Sequence, residues 1–206
     1  MLNFMLKKKR KIRSFYIDTN IAINYATNRN IQTVLVLERI KENGWKCISS
    51  TFLAMEMADY QQDYAFISKE ISKKRNPEDI LRSKGSKKLN CSDFEEIEEW
   101  FAEFQQRMNN LTLNDFIQDD NAWVLAKEIS FNSNLSAPDV IHLTSAILGA
   151  ISGSCEILIT QDGILRAESE KIISRLKSKY KILKKTLKLK VMNVSEVKKK
   201  FFNKLK

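Results

Sequence analysis

Four short apolar segments, each separated from the next by room for at least one helix, constrain this chain more than any other feature. They are "SFYID" (14–18), "WKCISS" (45–50), "CEILIT" (155–160) and "LKLKVMN" (187–193). Segments this short read as strands, and connections this long are crossovers rather than hairpins. The first connection holds "IQTVLVLERIKEN", a helix pattern that ends near Gly44; the second opens with a helix from about Thr51 carrying Phe52, Met55 and Glu56. Strands alternating with helices pair in parallel, so an α/β fold with a central parallel sheet is expected. A single domain over 14–195 accommodates these elements. The segment "SKKRNPEDILRSKGSKKLNCSD" (72–93) interrupts the rhythm with Pro77 and Gly85, and reads as a polar loop inside a helical insertion spanning about 61–114. Beyond it Phe94, Ile97, Phe101, Phe104 and Met108 recur at spacings of three and four, the stripe of a helix that faces a core. Asp119 and Asp120 read as caps of a helix that carries Trp123 and Leu125.

Several chemistries drop out. His142 is the only histidine, which excludes sites built from two imidazoles; among apolar neighbours it reads as a hydrogen-bonded core residue rather than a catalyst. No GxSxG, GxxxxGK[ST] or GxGxxG string occurs. Cys47, Cys91 and Cys155 are widely spaced and form no CxxC pair, which suits free thiols in a reducing, cytoplasmic setting. No apolar run approaches membrane-spanning length. In "MLNFMLKKKRKIR" the apolar patch precedes the positive charges, the reverse of a secretory signal.

The net charge of +10 is unevenly placed. Residues 1–13 hold six Lys/Arg and no acid, and residues 166–206 hold fifteen Lys/Arg against Glu168, Glu170 and Glu196. The middle, 14–165, holds 14 basic and 22 acidic residues. An acidic centre flanked by a basic N-terminal tail (1–13), a basic C-terminal region and a basic tail (196–206) suits a carboxylate site that handles a polyanion. Lys181, Lys184, Lys185 and Lys188, with Tyr180 beside them, are the expected phosphate contacts and stacking ring.

In a parallel α/β sheet, ligands collect beyond the carboxyl ends of the strands. Asp18 and Asp162 each follow a strand, Glu56 lies early in the helix after the second strand, and Asp139 follows Pro138 at a helix start. Four acids gathered there would repel one another unless a cation neutralised them, and an all-oxygen set suits Mg²⁺ or Mn²⁺. Thr19, Asn20 and Thr160 are short polar groups able to orient the carboxylates. The competing reading of Asp18 is a helix N-cap and that of Asp162, in "QDG", a turn residue, and Thr160 and Asn20 could equally be cap or turn residues.

The strings "YIDTN", "AMEMADY", "APDVIHLTSAI" and "ILITQDGIL", in that order, resemble the PIN-domain nucleases over 14–60 and about 115–195. The resemblance implies a PIN-like α/β/α sandwich and Mg²⁺- or Mn²⁺-dependent hydrolysis of single-stranded RNA. It carries the metal-binding and catalytic roles onto Asp18, Glu56, Asp139 and Asp162. Many members are VapC-type toxins, so the implied partners are RNA and a small antitoxin protein whose C-terminal segment covers the acidic crevice. A homodimer is compatible with the pattern, and a membrane has no place in it. Two other classes compete: a nucleic-acid-binding module with a vestigial acidic site, and a DNA-directed flap-type nuclease. The second lacks helix–hairpin–helix glycines here.

Overall fold

The structure, a computed structural model, describes residues 13–202. The basic tail expected over 1–13 therefore lies outside the described residues apart from Arg13. Five strands form one sheet: β1 (Ser14–Ile17), β2 (Lys46–Ser50), β3 (Leu111–Asn114), β4 (Ile157–Ile159) and β5 (Lys190–Met192). Their spatial order is β3-β2-β1-β4-β5, and every neighbouring pair is parallel. The chain steps outward from β1 to β3, then returns to the other side of β1 for β4 and β5. Its direction of winding thus reverses between β1 and β4, where an open α/β sheet forms its crevice.

Strand side chains alternate between two cores, as a sheet covered on both faces requires. Phe15, Ile17, Cys47, Ile157 and Ile159 pack under the helices α1 (Thr19–Ala26), α2 (Ile31–Glu42), α3 (Phe52–Ser72), α5 (Cys91–Arg107) and α10 (Val194–Phe201). Tyr16, Ile48 and Leu158 face the opposite layer, α6 (Asp120–Ser130), α7 (Ala137–Ile151) and α8 (Gly163–Lys179). The result is the α/β/α sandwich expected from the strand–helix alternation. Among the described residues, no helix is long and apolar enough to cross a membrane.

Three stretches differ from expectation. The stretch 61–114, read as a helical insertion, ends in β3, which pairs with β2 from Cys47↔Leu111 to Ser50↔Asn114. This strand was invisible in the sequence because it is a four-residue edge element with no fully buried side chain. Within the expected loop 72–93, Asn76 caps a helix α4 (Pro77–Ser83) with Pro77 in its first turn, followed by a 3₁₀ turn at Lys84–Ser86. Proline there starts a helix instead of breaking one, since its missing N–H is one no intrahelical acceptor would have taken. Lys84 and Lys87 then tie this segment to Asp63 on α3 at 2.5 and 3.0 Å. Finally, residues from 194 onward begin as a helix, not a tail: Val194 and Val197 are buried in the core, and Phe201 meets Phe15 edge-on at 5.9 Å. Short α9 (Leu183–Thr186) completes the connection into β5.

All three cysteines are free. Burial pushes the thiols of Cys47 and Cys155 up to about 12, whereas Cys91 opens α5 on the surface. A thiol-alkylating reagent at neutral pH is expected to label one cysteine per folded chain, at Cys91, and three after denaturation, by mass spectrometry. Labelling of Cys47 in the folded chain would contradict the packing of β2.

Candidate active site

The candidate site is built where β1 ends. Asp18 continues the β1–β4 ladder through its own N–H, which donates to the Ile159 carbonyl at 3.1 Å. Its extended backbone makes it the N-cap of α1, with Oδ1 accepting the Thr19 N–H at 2.8 Å. Oδ2 accepts from the Thr160 hydroxyl at 2.6 Å and from the Asn20 amide at 2.5 Å. The cap reading and the site reading of Asp18 are thus satisfied together. Asn20 and Thr160 meet at 3.1 Å, and Asn20 also accepts the Gln161 N–H at 3.2 Å, so β1, α1 and the end of β4 are joined through one carboxylate.

That carboxylate is 4 % exposed. Burial raises its pKa above the ordinary 3.8, and the field of Asp139 raises it further. His142 and the hydrogen bonds from Thr160 and Thr19 oppose the shift without cancelling it.

Glu56, on the first turns of α3, turns toward α7. Its Oε2 lies 2.5 Å from both the Thr19 hydroxyl and His142 Nε2. The other ring nitrogen, Nδ1, is 2.9 Å from the Tyr16 hydroxyl, whose oxygen also accepts the Ser50 N–H at 3.2 Å. A continuous chain therefore runs Tyr16–His142–Glu56–Thr19, drawing on β1, α7, α3 and α1. His142 is 1 % exposed, as a core histidine would be, but its partner is the site's own glutamate. Sequence reading missed Tyr16 and this use of His142. The available signal was their spacing, Tyr16 two residues before Asp18 and His142 one helical turn after Asp139.

Asp139 sits half-buried in the first turn of α7, behind the N-cap Ser136, and its Oδ2 accepts the Ser136 hydroxyl at 2.6 Å. Asp162 is the N-cap of α8: its Oδ1 accepts the Leu165 N–H at 2.7 Å, and its own N–H donates to Thr160 at 3.0 Å. The structure thus brings Asp18 and Glu56 to His142, with Asp139 one helical turn before it on α7 and acting on Asp18, while the Asp162 carboxylate serves α8. Helices α1, α3, α7 and α8 all begin at this end of the sheet, and their positive ends offset part of the acidic charge.

Among the described residues, no group of three or more His, Cys, Asp or Glu side chains is arranged to hold a metal ion. The four-carboxylate cluster expected from the sequence is therefore not preassembled, because Glu56 is bonded to His142 and Asp162 to α8. Asp18 and Asp139 still suit a hard cation: both offer oxygen only, and Mg²⁺ commonly takes one or two carboxylates with water and substrate phosphate completing its shell. Lys181, Lys184, Lys185 and Lys188 are exposed, but they precede β5 and so lie toward the amino-terminal end of the sheet, away from the acids. Compared with protein-family models, curated proteins and solved structures, the chain has no match.

Burial disfavours the charged form of His142, but the Tyr16 oxygen, the Glu56 hydrogen bond and the field of Asp18 outweigh it and raise the pKa from 6.5 to about 10. A folded-state pKa above the unfolded one means that protonation favours folding. This stabilisation is complete below about pH 6.5 and is lost as pH rises through about 10. Urea midpoints of the wild type should fall more steeply from pH 7 to 10 than those of His142→Gln. Parallel curves for the two proteins would show that the ring is neutral in the fold.

Proposed function

We propose that the chain is a metal-dependent endoribonuclease of PIN type, hydrolysing phosphodiester bonds in single-stranded RNA. The observation that carries this reading is the buried Asp18 carboxyl at the β1/β4 reversal, held by the Thr19 N–H, Asn20 and Thr160 with Asp139 acting on it, a pair of oxygen ligands whose mutual repulsion a bound cation would relieve. The order of the motif strings along the chain supports it as well, each now on an element at the carboxyl end of the sheet.

Asp18 and Asp139 would hold Mg²⁺ or Mn²⁺, which when bound supplies charge neutralisation at the phosphate and acidifies water. The chain's own contribution is orientation and proton handling. Thr160, Asn20 and the Thr19 N–H fix both Asp18 oxygens, so the carboxylate does not have to reorganise when substrate arrives. Glu56 keeps a side chain 23 % exposed while His142 and Thr19 bind its Oε2, leaving Oε1 as the atom to take a proton from an attacking water. The helix N-termini at this end favour the approach of a phosphate.

The test is cleavage of end-labelled RNA and of the matching DNA, with Mg²⁺, Mn²⁺ or excess chelator. Asp18→Asn and Asp139→Asn are each expected to lower the rate by about a hundredfold or more, and Thr160→Val by about ten- to a hundredfold. Asp162→Asn keeps a capping oxygen on α8 and should change the rate less than about tenfold. Mg²⁺ should raise the melting temperature of the wild type and not of Asp18→Asn. Cleavage persisting in chelator would exclude the metal. RNA binding without cleavage in either ion would instead assign a nucleic-acid-binding module with an idle acidic site, and preferential cleavage of DNA a relative of flap-type nucleases.

Expression in a bacterial host offers a second readout for the toxin expectation. Growth arrest that disappears with Asp18→Asn is the expected result for a toxin, and unimpaired growth with an active purified enzyme argues against that role.

A further inference from the structure

At the end of the sheet opposite Asp18, basic residues surround a cavity of about 350 Å³. Arg13 enters β1, Lys188 and Lys190 enter β5, and Lys200 comes from the last turns of α10. Phe201 gathers two of these cations, with the Arg13 guanidinium 4.7 Å and the Lys200 ammonium 5.4 Å from its ring centre. Glu156 is the acid of the lining and lies 3.4 Å from Arg13. Four cations around one acid leave the cavity positive. Lys200 accordingly lies below the usual lysine range, through burial first and then through Lys190 and Arg13 beside it.

The geometry points to a second RNA-binding site in this cavity, one that takes backbone phosphates remote from the scissile bond. The inference rests on the ribonuclease reading for the identity of the polyanion, and on Arg13, Lys188, Lys190 and Lys200 for the place. Asp18 lies five positions beyond Arg13 along extended chain, so the cationic end lies about 16 Å from the acidic one. A phosphate held here cannot be the phosphate that is cut. RNAs long enough to reach from one end of the sheet to the other can engage both ends at once. Repulsion among the lysines is relieved when an anion enters, which makes binding strongly salt-dependent.

The experiment measures binding by fluorescence anisotropy across a salt series in excess chelator, so that nothing is cut, using a long single-stranded RNA. Lys190→Gln with Lys200→Gln should weaken RNA binding and reduce its log affinity–log salt slope by roughly 1.4, two single-strand phosphate contacts. Lys74→Gln with Lys88→Gln removes the same charge from exposed positions outside the cavity and serves as the control. An equal change in the control pair or an unchanged slope would each overturn the proposal. Failure of the ribonuclease reading is separately visible, as RNA that binds with this pattern and is not cleaved when metal is restored.

Discussion

The buried carboxylate of Asp18 is the point on which the two halves of the sheet depend. A carboxyl group with so little exposure is costly to desolvate, and it is tolerated only where donors replace the lost water. Here the donors come from three places: the Thr19 backbone, the Asn20 amide and the Thr160 hydroxyl. Since Thr160 follows β4 and Asn20 belongs to α1, solvating Asp18 also locks the chain reversal at β1/β4. The interaction that creates the crevice and the one that orients its acid are the same.

His142 plays the corresponding part across the layers. Tyr16 packs on one face of the sheet, Glu56 is carried by a helix on the other, and they meet over the strand ends through the two ring nitrogens. A polar chain of this kind is favourable only when each member is satisfied, and here both ring nitrogens of His142 and the Thr19 hydroxyl have partners. It also explains why three acids are brought near one another without forming a ready-made metal cage. One of them is already matched by the imidazole.

The molecule is electrically two-ended. Acids collect where the helices begin and bases where the strands begin, so the sheet separates a negative crevice from a positive cavity. Sequence alone showed the imbalance between the middle and the ends of the chain, but not its direction in space. The lysines between α8 and β5 illustrate this: they follow the crevice residue Asp162 in sequence, yet a 17-residue helix carries the chain to the far end before they occur.

What the sequence by itself determined was whatever depends on neighbours along the chain. The short apolar runs, the helical periodicities, the helix start at "APD" and the placement of Asp18 after a strand are all local signals, and each became the expected element. Thr19, Asn20 and Thr160 were legible as hydrogen-bonding support because short polar side chains beside a strand end have few other partners to serve. Only the tertiary structure decided which acids share an environment, since that requires α3 and α7 to converge on β1 from opposite layers. It also decided that Asp162 serves a helix, that 111–114 is a strand and that Val197 belongs to the core. The reason is common to all three: a short edge strand, a cap and an amphipathic last helix carry weak local signals, and their roles are set by the partner each meets across the fold.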